Sequence, residues 1–289
     1  MDKTAAKKRV EQLKKAINKY RYAYHVENKS LIPDEALDSL KKELFDLEQQ
    51  YPELVTRDSP TQRVVGKPLK EFVKVRHEKP MLSFNDAFSE EDMRAWWERL
   101  GNYLGRKAPQ EFFCELKIDG LAIELVYENG ILIQGSTRGD GAVGEDITQN
   151  LKTIDAIPLS LISNIQFPIP TRLVVRGEVF ITKKEFSRIN REQAKRGEKA
   201  FANPRNLVAG SVRQLDSKIT ASRRLDSFQY AVVTDAGQNT HEEEHELLHE
   251  WGFKINPHNT RAASLEEVFT FRDHWEKHRE SLEYEIDGI

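Results

Sequence analysis

The sequence has one cysteine, Cys114, among its 289 residues. A single thiol cannot build an internal disulfide framework or a four-cysteine zinc site. Long apolar runs are also missing, since stretches such as 121–126 end far short of the roughly 20 residues that a membrane span needs. The charged N-terminus lacks the apolar stretch of a signal peptide. We therefore expect a monomeric cytoplasmic protein with no membrane partner.

The sequence has no basic excess either, because 44 Lys and Arg residues face 47 Asp and Glu residues and give a formal net charge of −3. Proteins that bind nucleic acid on their own normally carry a clear positive excess for the phosphates. Any nucleic-acid partner would have to be held mostly by regions outside this chain. The hydrophobic content of 38% is sufficient for one large domain and a small one.

Apolar residues recur at three- and four-residue steps in the first 50 residues, which predicts two amphipathic helices in a hairpin. Pro33 and Asp34 are a start signal for the second helix, and Tyr51-Pro52 ends it. The polar, proline-containing segment 56–70 predicts a linker. We expect a small helical domain with its linker over 1–70 and a larger domain over 71–289. The two apolar stripes consist of Val10, Leu13, Ile17, Tyr20 and Tyr24, and of Leu37, Leu40, Leu44 and Leu47.

From Phe112 onward the pattern changes to short β-like runs. Asn129-Gly130 between the runs 121–127 and 131–137 is the strongest hairpin signal in the chain, and it predicts antiparallel pairing. Strands and helices do not alternate regularly, which favours an α+β fold with antiparallel sheets. Further strands are predicted at 172–181 and 228–233, and helices at 145–151, 204–215, 241–251 and 264–278.

The run CELKIDG (114–120) would, as a strand, place Glu115, Lys117 and Asp119 on one face and the apolar residues between them toward a core. A solvated strand edge is the ordinary interpretation of such alternation, but the closing glycine and the hairpin that follows favour a pocket wall. A lysine amine is protonated at neutral pH and must lose that proton to act as a nucleophile. Because its acidic neighbours oppose this loss, activation of Lys117 should depend on a bound nucleotide and metal.

CELKIDG resembles the lysine motif of the covalent nucleotidyltransferases, and TRGDGAVGEDIT (137–148) is similar to the matching segment of NAD-dependent DNA ligases. A lysine motif alone would not separate DNA ligases from RNA ligases and capping enzymes, but an ordered set does. The chain therefore resembles the N-terminal adenylation region of bacterial NAD-dependent DNA ligases, with a nucleotidyltransferase fold after a helical hairpin. The further matches, in the family's order, are VRGEVF (175–180), FANPRNLVAGSVRQLD (201–216), FQY (228–230), WGF (251–253) and YEIDG (284–288).

The resemblance implies that Lys117 attacks the α-phosphorus of NAD, forms lysyl-AMP and releases nicotinamide mononucleotide. AMP would then pass to the 5′-phosphate of nicked DNA in the complete enzyme. The implied cofactor is Mg²⁺, with zinc only in domains absent from this chain. Asp119 and Asp287 match carboxylates needed for the chemistry. The implied nucleotide contacts are Glu115 at the adenine amino group, Glu178 at the ribose, Tyr230 stacked on adenine, and Leu116, Arg138, Ser83 and Phe84; the implied phosphate or DNA contacts are Arg205 and Arg213.

The choice of NAD rests on YAYHVENKSLIPDEALD (22–38), which resembles the family's nicotinamide-recognition segment. Its matching residues are Tyr24, His25, Asp34 and Asp38; an aromatic ring can stack on nicotinamide, and acids can balance its charge. The chain departs from the family at Leu37, where tyrosine is usual, and at Leu207-Val208, where small residues are usual. In the family a lysine-containing strand follows EIDG, so we expect the 71–289 domain to be truncated before its last strands.

Three other interpretations exist. Gly139, Gly141 and Gly144 form GxGxxG, but after an antiparallel hairpin and not within a βαβ unit, which disfavours a dehydrogenase. His241 and His245 match HExxH, yet the acidic surroundings and the adjacent apolar stripe favour an ordinary amphipathic helix over a zinc protease, so no protein zinc site is predicted here. A noncatalytic nucleotide-binding or interaction module with the same fold stays open.

Overall fold

The structure, a computed structural model, describes residues 2–27, 29–64, 68–83, 85–106, 108, 111–163 and 166–289, and of Asp34 only the backbone. No helix in these ranges combines the length and the apolar character needed to cross a membrane. The helices are α1 Lys3–His25, α2 Asp34–Gln50, α3 Glu90–Leu104, α4 Thr148–Leu151, α5 Lys183–Lys195, α6 Pro204–Val212, α7 Ser217–Ala221, α8 His241–Glu250 and α9 Leu265–His278. The strands are β1 Lys74–Arg76, β2 Phe112–Cys114, β3 Lys117–Ile118, β4 Leu121–Glu128, β5 Ile131–Thr137, β6 Val143–Glu145, β7 Arg172–Phe180, β8 Asp226–Val232, β9 Thr260–Ala262 and β10 Ile286–Gly288.

The predicted helical hairpin is present as α1 and α2. The carboxylate of Asp2 accepts a hydrogen bond of 2.8 Å from the amide of Ala5 and caps α1, which is the usual role of aspartate at a helix start. The two helices share a small core, against which Leu37 packs at its edge. The apolar stripes predicted most of the packed face, whereas Tyr20 and Tyr24 lie outside this core and Tyr24 is half exposed. The buried members of the stripes are Val10, Leu13, Ile17, Leu44 and Leu47, and Ala6 joins them.

The hairpin is attached to the rest of the chain through the loop around 152–157. Arg63, at the end of the short 3₁₀ helix Pro60–Arg63, donates hydrogen bonds of 3.0, 2.9 and 3.0 Å to the carbonyls of Lys152, Ile154 and Ile157. The buried Arg21 of α1 forms an ion pair with Asp155, whose side chain is partly exposed. Buried guanidinium groups without such acceptors would be strongly destabilising, so these contacts fix where the hairpin sits.

The larger part of the fold is built around an antiparallel sheet in the order β5-β4-β7-β8. Asn129 and Gly130 connect β4 to β5 with φ values of 50° and 75°, the left-handed region that these residue types tolerate. Apolar side chains from the sheet pack against α6 and α8 in one core that contains Leu125, Val175 and Trp251. The predicted α+β class, the hairpin and the strands near 172–181 and 228–233 are therefore confirmed.

The predicted continuous strand through CELKIDG is wrong. The backbone forms β2, then breaks at Glu115 and Leu116, and resumes as β3, which contains only Lys117 and Ile118. The two pieces pair with different segments, β2 with β9 and β3 with β10. Leu116 is buried as predicted, in a second cluster with Phe180 and Phe228. The break sends Glu115 toward different neighbours from those of the lysine.

The helix predicted at 145–151 is also shorter than expected. Residues 143–145 form β6, and the helix begins only at Thr148, whose amide and hydroxyl both donate to Asp146. The preceding glycine motif is a tight turn, with φ values of 58° at Gly139 and 95° at Gly141. A side chain at Gly139 would lie 1.8 Å from the carbonyl oxygen of Val143. This strand–turn–strand arrangement is not the strand–helix context of a dinucleotide-binding fingerprint.

Candidate active site

Lys117 lies on β3 beside the C-terminal strand β10. In this antiparallel pair, Lys117 is opposite Gly288 and Ile118 is opposite Ile286. The register brings the Lys117 Nζ to 2.5 Å from Asp287 Oδ1, although the two residues are 170 positions apart. Both side chains are open to solvent, with exposed fractions of 52% and 36%. The sequence prediction that Lys117 and Asp287 belong to one site agrees with this geometry.

A second positive charge reaches this pair from the start of α6. Asn203 caps that helix by accepting the amide of Asn206 at 2.8 Å, which places Arg205 in the first turn. The Arg205 guanidinium lies 4.0 Å from Asp119 and 3.9 Å from Asp287. Burial, and next the negative charge of Asp287, raise the pKa of the Asp119 carboxyl. Lysine, arginine and two carboxylates thus form one compact group, the lysine group, of Lys117, Asp119, Asp287 and Arg205.

Glu178 lies on β7 behind the lysine group. β4 pairs with β7 so that Ala122 is opposite Glu178, and Gly120 permits the close approach because a side chain there would lie 2.2 Å from the carbonyl oxygen of Val179. Burial raises the pKa of the Glu178 carboxyl from 4.5 to about 8, although the charges of Arg205 and Lys117 act in the opposite direction. Glu178 is therefore largely protonated at neutral pH and can donate a hydrogen bond.

Tyr230 on the neighbouring strand β8 connects this region to Glu115. Burial raises the pKa of the Tyr230 phenol, and the negative charges of Glu178 and Glu115 raise it further. The two carboxyl groups are therefore close enough to act on the Tyr230 phenol, and the aromatic side chain offers a face on which a base can stack.

Glu115 lies in the break between β2 and β3 and contacts two histidines of α8. His241 Nε2 is 2.8 Å from one carboxylate oxygen, and His245 Nε2 is 2.9 Å from the other. The amide of Asn259 donates a hydrogen bond of 3.1 Å to the latter oxygen. Burial opposes ionisation of Glu115, but the imidazoles of His241 and His245 outweigh it and lower the pKa of this carboxyl to about 2. We call Glu115, His241 and His245 the histidine group.

The pKa of the His241 imidazole shifts in the opposite direction to that of the Glu115 carboxyl. Burial lowers the pKa of its imidazole, yet hydrogen bonds to Glu115 and Glu244 prevail and raise the pKa to about 9. His241 therefore carries a proton at neutral pH and holds Glu115 as a carboxylate.

Arg138 and Arg213, two further arginines predicted to contact the nucleotide or phosphates, have different neighbours. Arg138 follows β5 and donates a hydrogen bond of 3.3 Å to the Ser83 hydroxyl, so these two predicted contact residues do meet. Arg213, at the end of α6, is instead engaged with the Glu145 carboxylate at 2.8 and 3.2 Å. Phe84 was predicted as a nucleotide contact and lies outside the described residues.

Comparison with known proteins identifies the family of this chain. The model of the family described as NAD-dependent DNA ligase adenylation domain matches residues 69–289. A second model, described as the DNA ligase-like, N-terminal NAD+-binding domain, matches residues 3–65. The chain belongs to the NAD-dependent DNA ligase adenylation domain family.

Relatives of this family named DNA ligase include those of Coprothermobacter proteolyticus, 46% identical over all of this chain, and Carboxydothermus hydrogenoformans, 48% identical over all of it. The protein of Gloeobacter violaceus is 48% identical over 96% of the chain. The match covers 43%, 43% and 41% of these relatives. The chain thus spans less than half the length of the curated relatives that it matches, and it corresponds to their N-terminal part.

In the part matched by the NAD+-binding family model, the predicted nicotinamide residues lie near the turn of the hairpin, where α1 ends and α2 begins. Tyr24 is half exposed, and its ring makes an edge contact with the His25 ring at 4.9 Å. His25 lies 3.4 Å from Asp155, and burial lowers the pKa of its imidazole to about 3. Asp38 pairs with Lys41 at 3.1 Å on the surface of α2. The side chain of Asp34 lies outside the described residues.

The two departures from the family pattern have structural accommodations. Leu37 packs at the edge of the hairpin core, where part of its apolar surface is buried. Leu207 and Val208 are fully buried on α6 and belong to the main core. At these positions the larger side chains fill core volume of the adenylation-domain fold.

Asn259 was missed as a site residue by sequence reasoning. It comes 144 positions after Glu115 and carries no motif of its own. His241 and His245 did have a signal, the HExxH spacing, but the sequence did not pair them with Glu115. Only the position of α8 against the break between β2 and β3 makes that connection.

Proposed function

We propose that this chain is the self-adenylating part of an NAD-dependent DNA ligase, in which Lys117 becomes covalently linked to AMP. The observation that carries the proposal is the 2.5 Å contact between Lys117 Nζ and Asp287 Oδ1 on an open strand pair, with Arg205 within 4.0 Å of both carboxylates of the lysine group. Membership of the family and the match to its NAD+-binding region support NAD as the substrate.

In the proposed reaction, the Lys117 amine forms a bond to the α-phosphorus of NAD as the bond to the bridging oxygen breaks. Nicotinamide mononucleotide leaves with the electron pair of that bond. The lysine proton must be removed, and Asp287 Oδ1 is placed to hold it. Arg205 can offset negative charge on the phosphate oxygens as the leaving group departs, since guanidinium groups hydrogen-bond phosphates through fixed donors.

The nucleoside part of NAD would bind between Tyr230 and the two glutamates. Tyr230 and the backbone at Leu116 would contact adenine, Glu115 would accept a hydrogen bond from its amino group, and Glu178 would contact the ribose. Because Glu115 is ionised and Glu178 is largely protonated at neutral pH, one offers an acceptor and the other can offer a donor. The nicotinamide end is assigned to Tyr24, His25, Asp34 and Asp38.

Magnesium fits this arrangement. The ion prefers oxygen ligands and is usually held by one or two carboxylates together with substrate phosphates. Asp119 would hold the ion. Burial and the neighbouring Asp287 disfavour the negative charge of Asp119, and a bound cation would offset that cost. When bound, the ion would offset the charge of the phosphates.

We assign the hairpin and linker to residues 1–70 and the adenylation domain to 71–289. Transfer of AMP to the 5′-phosphate of nicked DNA, with Arg138, Arg205 and Arg213 as phosphate contacts, belongs to the whole protein. The net charge of −3 supports the view that most of the DNA contact comes from regions outside these residues.

The test is incubation with Mg²⁺ and NAD labelled in its adenylate, followed by mass analysis of the protein and its peptides, with labelled ATP as a control. AMP should appear on Lys117 from NAD and be absent from Lys117→Ala. The matched control is Lys195→Ala, an exposed lysine of α5, which should label normally. Normal labelling of Lys117→Ala in the full-length protein would show the assignment to be wrong. Reversible NAD binding without labelling of the full-length wild type would favour the noncatalytic module.

A further inference from the structure

The histidine group has the donor atoms and spacing of a transition-metal site. His241 and His245 are one helical turn apart on α8, so both imidazoles face the same side. Glu115 faces them from the break between β2 and β3. One nitrogen of each imidazole and an oxygen of the carboxylate all lie within 4.8 Å of one another. Two imidazoles and one carboxylate are a common ligand set for zinc and related ions, and three protein ligands leave a position open.

The proposed adenylation chemistry does not require both histidines. His241 is explained as the partner that keeps Glu115 ionised. His245 has no such explanation. Its side chain is 5% exposed, and neither ring nitrogen makes a hydrogen bond of acceptable angle, although Nε2 lies 2.9 Å from Glu115. A buried polar group in this condition calls for a missing partner. A cation between Nε2 and the carboxylate would supply one.

The surroundings support metal ligation. The second nitrogen of His241 lies 3.3 Å from a carboxylate oxygen of Glu244, and Asn259 donates to Glu115, so outer contacts orient two of the three ligands. The ring of Phe113 covers both imidazoles, with centroid separations of 5.5 and 4.9 Å. At metal–ligand bond lengths of about 2.0–2.2 Å, a tetrahedral ion needs ligand atoms roughly 3.3 Å apart. The present contacts of 2.8 and 2.9 Å are to different oxygens of Glu115. Binding therefore requires a small rearrangement of side chains within a group of ligand atoms that spans no more than 4.8 Å.

We propose that Glu115, His241 and His245 form a binding site for a zinc-class divalent cation, and that the bound ion closes the adenine end of the pocket. The second part rests on the proposed function, in which the Glu115 carboxylate accepts a hydrogen bond from the adenine amino group. The charge of an ion on this carboxylate repels the partly positive hydrogens of the adenine amino group, and the ion occupies an acceptor position that they would contact. Zinc would thus act as an inhibitor that competes with the nucleoside, at a place separate from the Mg²⁺ assigned to Asp119.

The site itself is tested with cobalt(II) as a visible probe on chain stripped of metal. Wild type should bind one equivalent with the strong absorption of a four- or five-coordinate ion, and excess zinc should displace the cobalt and abolish that absorption, because both ions accept imidazole and carboxylate ligands. His241→Gln and His245→Gln should each weaken cobalt binding by at least about tenfold. Thermal unfolding of each variant establishes that it is folded. Two variants are used so that the test can still be made if one of them does not fold.

Two controls use the other histidines. His249 is exposed one turn further along α8, so His249→Gln should bind cobalt as wild type does. His274 and His278 of α9 are also four residues apart, with rings stacked at 4.3 Å, and are the main competing surface pair. Replacing both with glutamine should leave the signal unchanged. The proposal is overturned if cobalt is lost in the α9 double variant, or if folded His241→Gln and His245→Gln bind as wild type does.

The competition is tested with adenosine, which has no phosphate to bind zinc. At zinc about ten times its own Kd, simple competition should weaken adenosine binding about elevenfold in wild type. His245→Gln should show little effect at the same zinc concentration. Unchanged adenosine affinity in metal-loaded wild type would refute closure of the pocket. If adenosine fails to bind even the metal-free chain, the adenine role of the proposed function is wrong, whereas the cobalt titration still decides the metal site.

Discussion

The lysine group and the histidine group would lie at the two ends of the proposed nucleotide site, and their environments differ. Lys117 and Arg205 have side chains about half exposed, at 52% and 53%, and Arg205 reaches its acids only at 3.9 and 4.0 Å. Glu115 is 28% exposed and His245 5%, with contacts of 2.9 Å between them and 2.8 Å from Glu115 to His241. The first group is open to solvent, with one close pair between Lys117 and Asp287, whereas the second is more enclosed.

This difference extends to the ionisation of the carboxyl groups. Burial raises the pKa of Asp119 and of Glu178, the latter to about 8, so negative charge is disfavoured beside the lysine until a cation arrives. At the other end the histidines lower the pKa of Glu115 to about 2. One end is therefore suited to receiving phosphate and metal, and the other is organised in advance as a hydrogen-bond acceptor. Variants at the two ends should affect different kinetic parameters.

The largest effect is expected for Arg205→Gln at the lysine end. Loss of one group that stabilises developing charge typically slows a reaction by about 10²–10³-fold. The rate of AMP labelling at saturating NAD should fall by about that factor, while the affinity for adenosine changes little, and quenched-flow labelling with a binding titration measures both.

The control for Arg205 is Arg172→Gln, an exposed arginine paired with Glu78 and Glu128 away from the lysine group. It should label at the wild-type rate. A normal labelling rate for Arg205→Gln would remove this arginine from the chemistry and contradict the division between the two ends.

Glu115→Gln should have the second largest effect, of the opposite kind. A hydrogen bond to a charged group contributes about 1.5–3 kcal/mol, so losing the charge should weaken adenosine binding by roughly 10–100-fold. Labelling at saturating NAD should be affected much less, so the change appears in KM and not in kcat. Glu111→Gln, an exposed acid paired with Arg261 beside β2, is the matched control. A loss confined to kcat would place Glu115 with the chemistry instead.

The third prediction concerns stability against pH through Glu178. Its folded-state pKa of about 8 exceeds the ordinary 4.5, so the folded state binds more protons between these values. Stability from this group is complete below pH 4.5 and is lost as pH rises through about 8, with a slope of at most about 1.4 kcal/mol per pH unit. Partial exposure reduces that slope. Glu178→Gln should flatten the decline in denaturant midpoint between pH 5 and about 8.

The control for Glu178 is Glu198→Gln, an exposed acid after α5, which should keep the wild-type pH profile. An unchanged slope in Glu178→Gln would mean that Glu178 is ionised in the folded protein, and that both ends of the pocket hold their acids in the same form.

The smallest effect is expected in the hairpin, outside both groups. Tyr24 is 50% exposed, so Tyr24→Ala should change the free energy of unfolding by no more than about 0.5 kcal/mol. Loss of ring stacking, worth about 0.5–1.5 kcal/mol, should raise the KM for NAD by up to about tenfold. Adenosine affinity should stay unchanged. Tyr103→Ala on α3, 88% exposed, is the control, and an equal effect of both variants would exclude specific recognition by Tyr24.

Much of the fold could be predicted from local patterns. The hairpin helices follow from the spacing of Val10, Leu13 and Ile17, because a 3.6-residue period puts these side chains on one face. The β4–β5 hairpin follows from Asn129-Gly130, whose backbone tolerates positive φ. The helices α3 and α5 were not predicted, although both are amphipathic. The three-residue strands were not predictable, because they are too short to show alternation.

The composition of the site was predicted unevenly for a related reason. Lys117, Asp119 and Glu115 were identified because they share one motif, and Asp287 because its own motif follows the order of the family. The break after β2 was not visible in the sequence, since CELKIDG alternates as a continuous strand would. Consequently the separation of Glu115 from the lysine group was missed, although both belong to one heptapeptide.

The sequence by itself determined the residue types, the order of the motifs and the helical and strand periods, and these are sufficient to assign the family and to name Lys117 as the candidate nucleophile. Tertiary structure alone decided the partners, which are Asp287 for Lys117, and His241, His245 and Asn259 for Glu115. These partners are between 126 and 170 positions apart in the sequence. The physical reason is that local patterns report which face of an element is buried, whereas ionisation and metal affinity depend on charges brought together by the packing of distant segments.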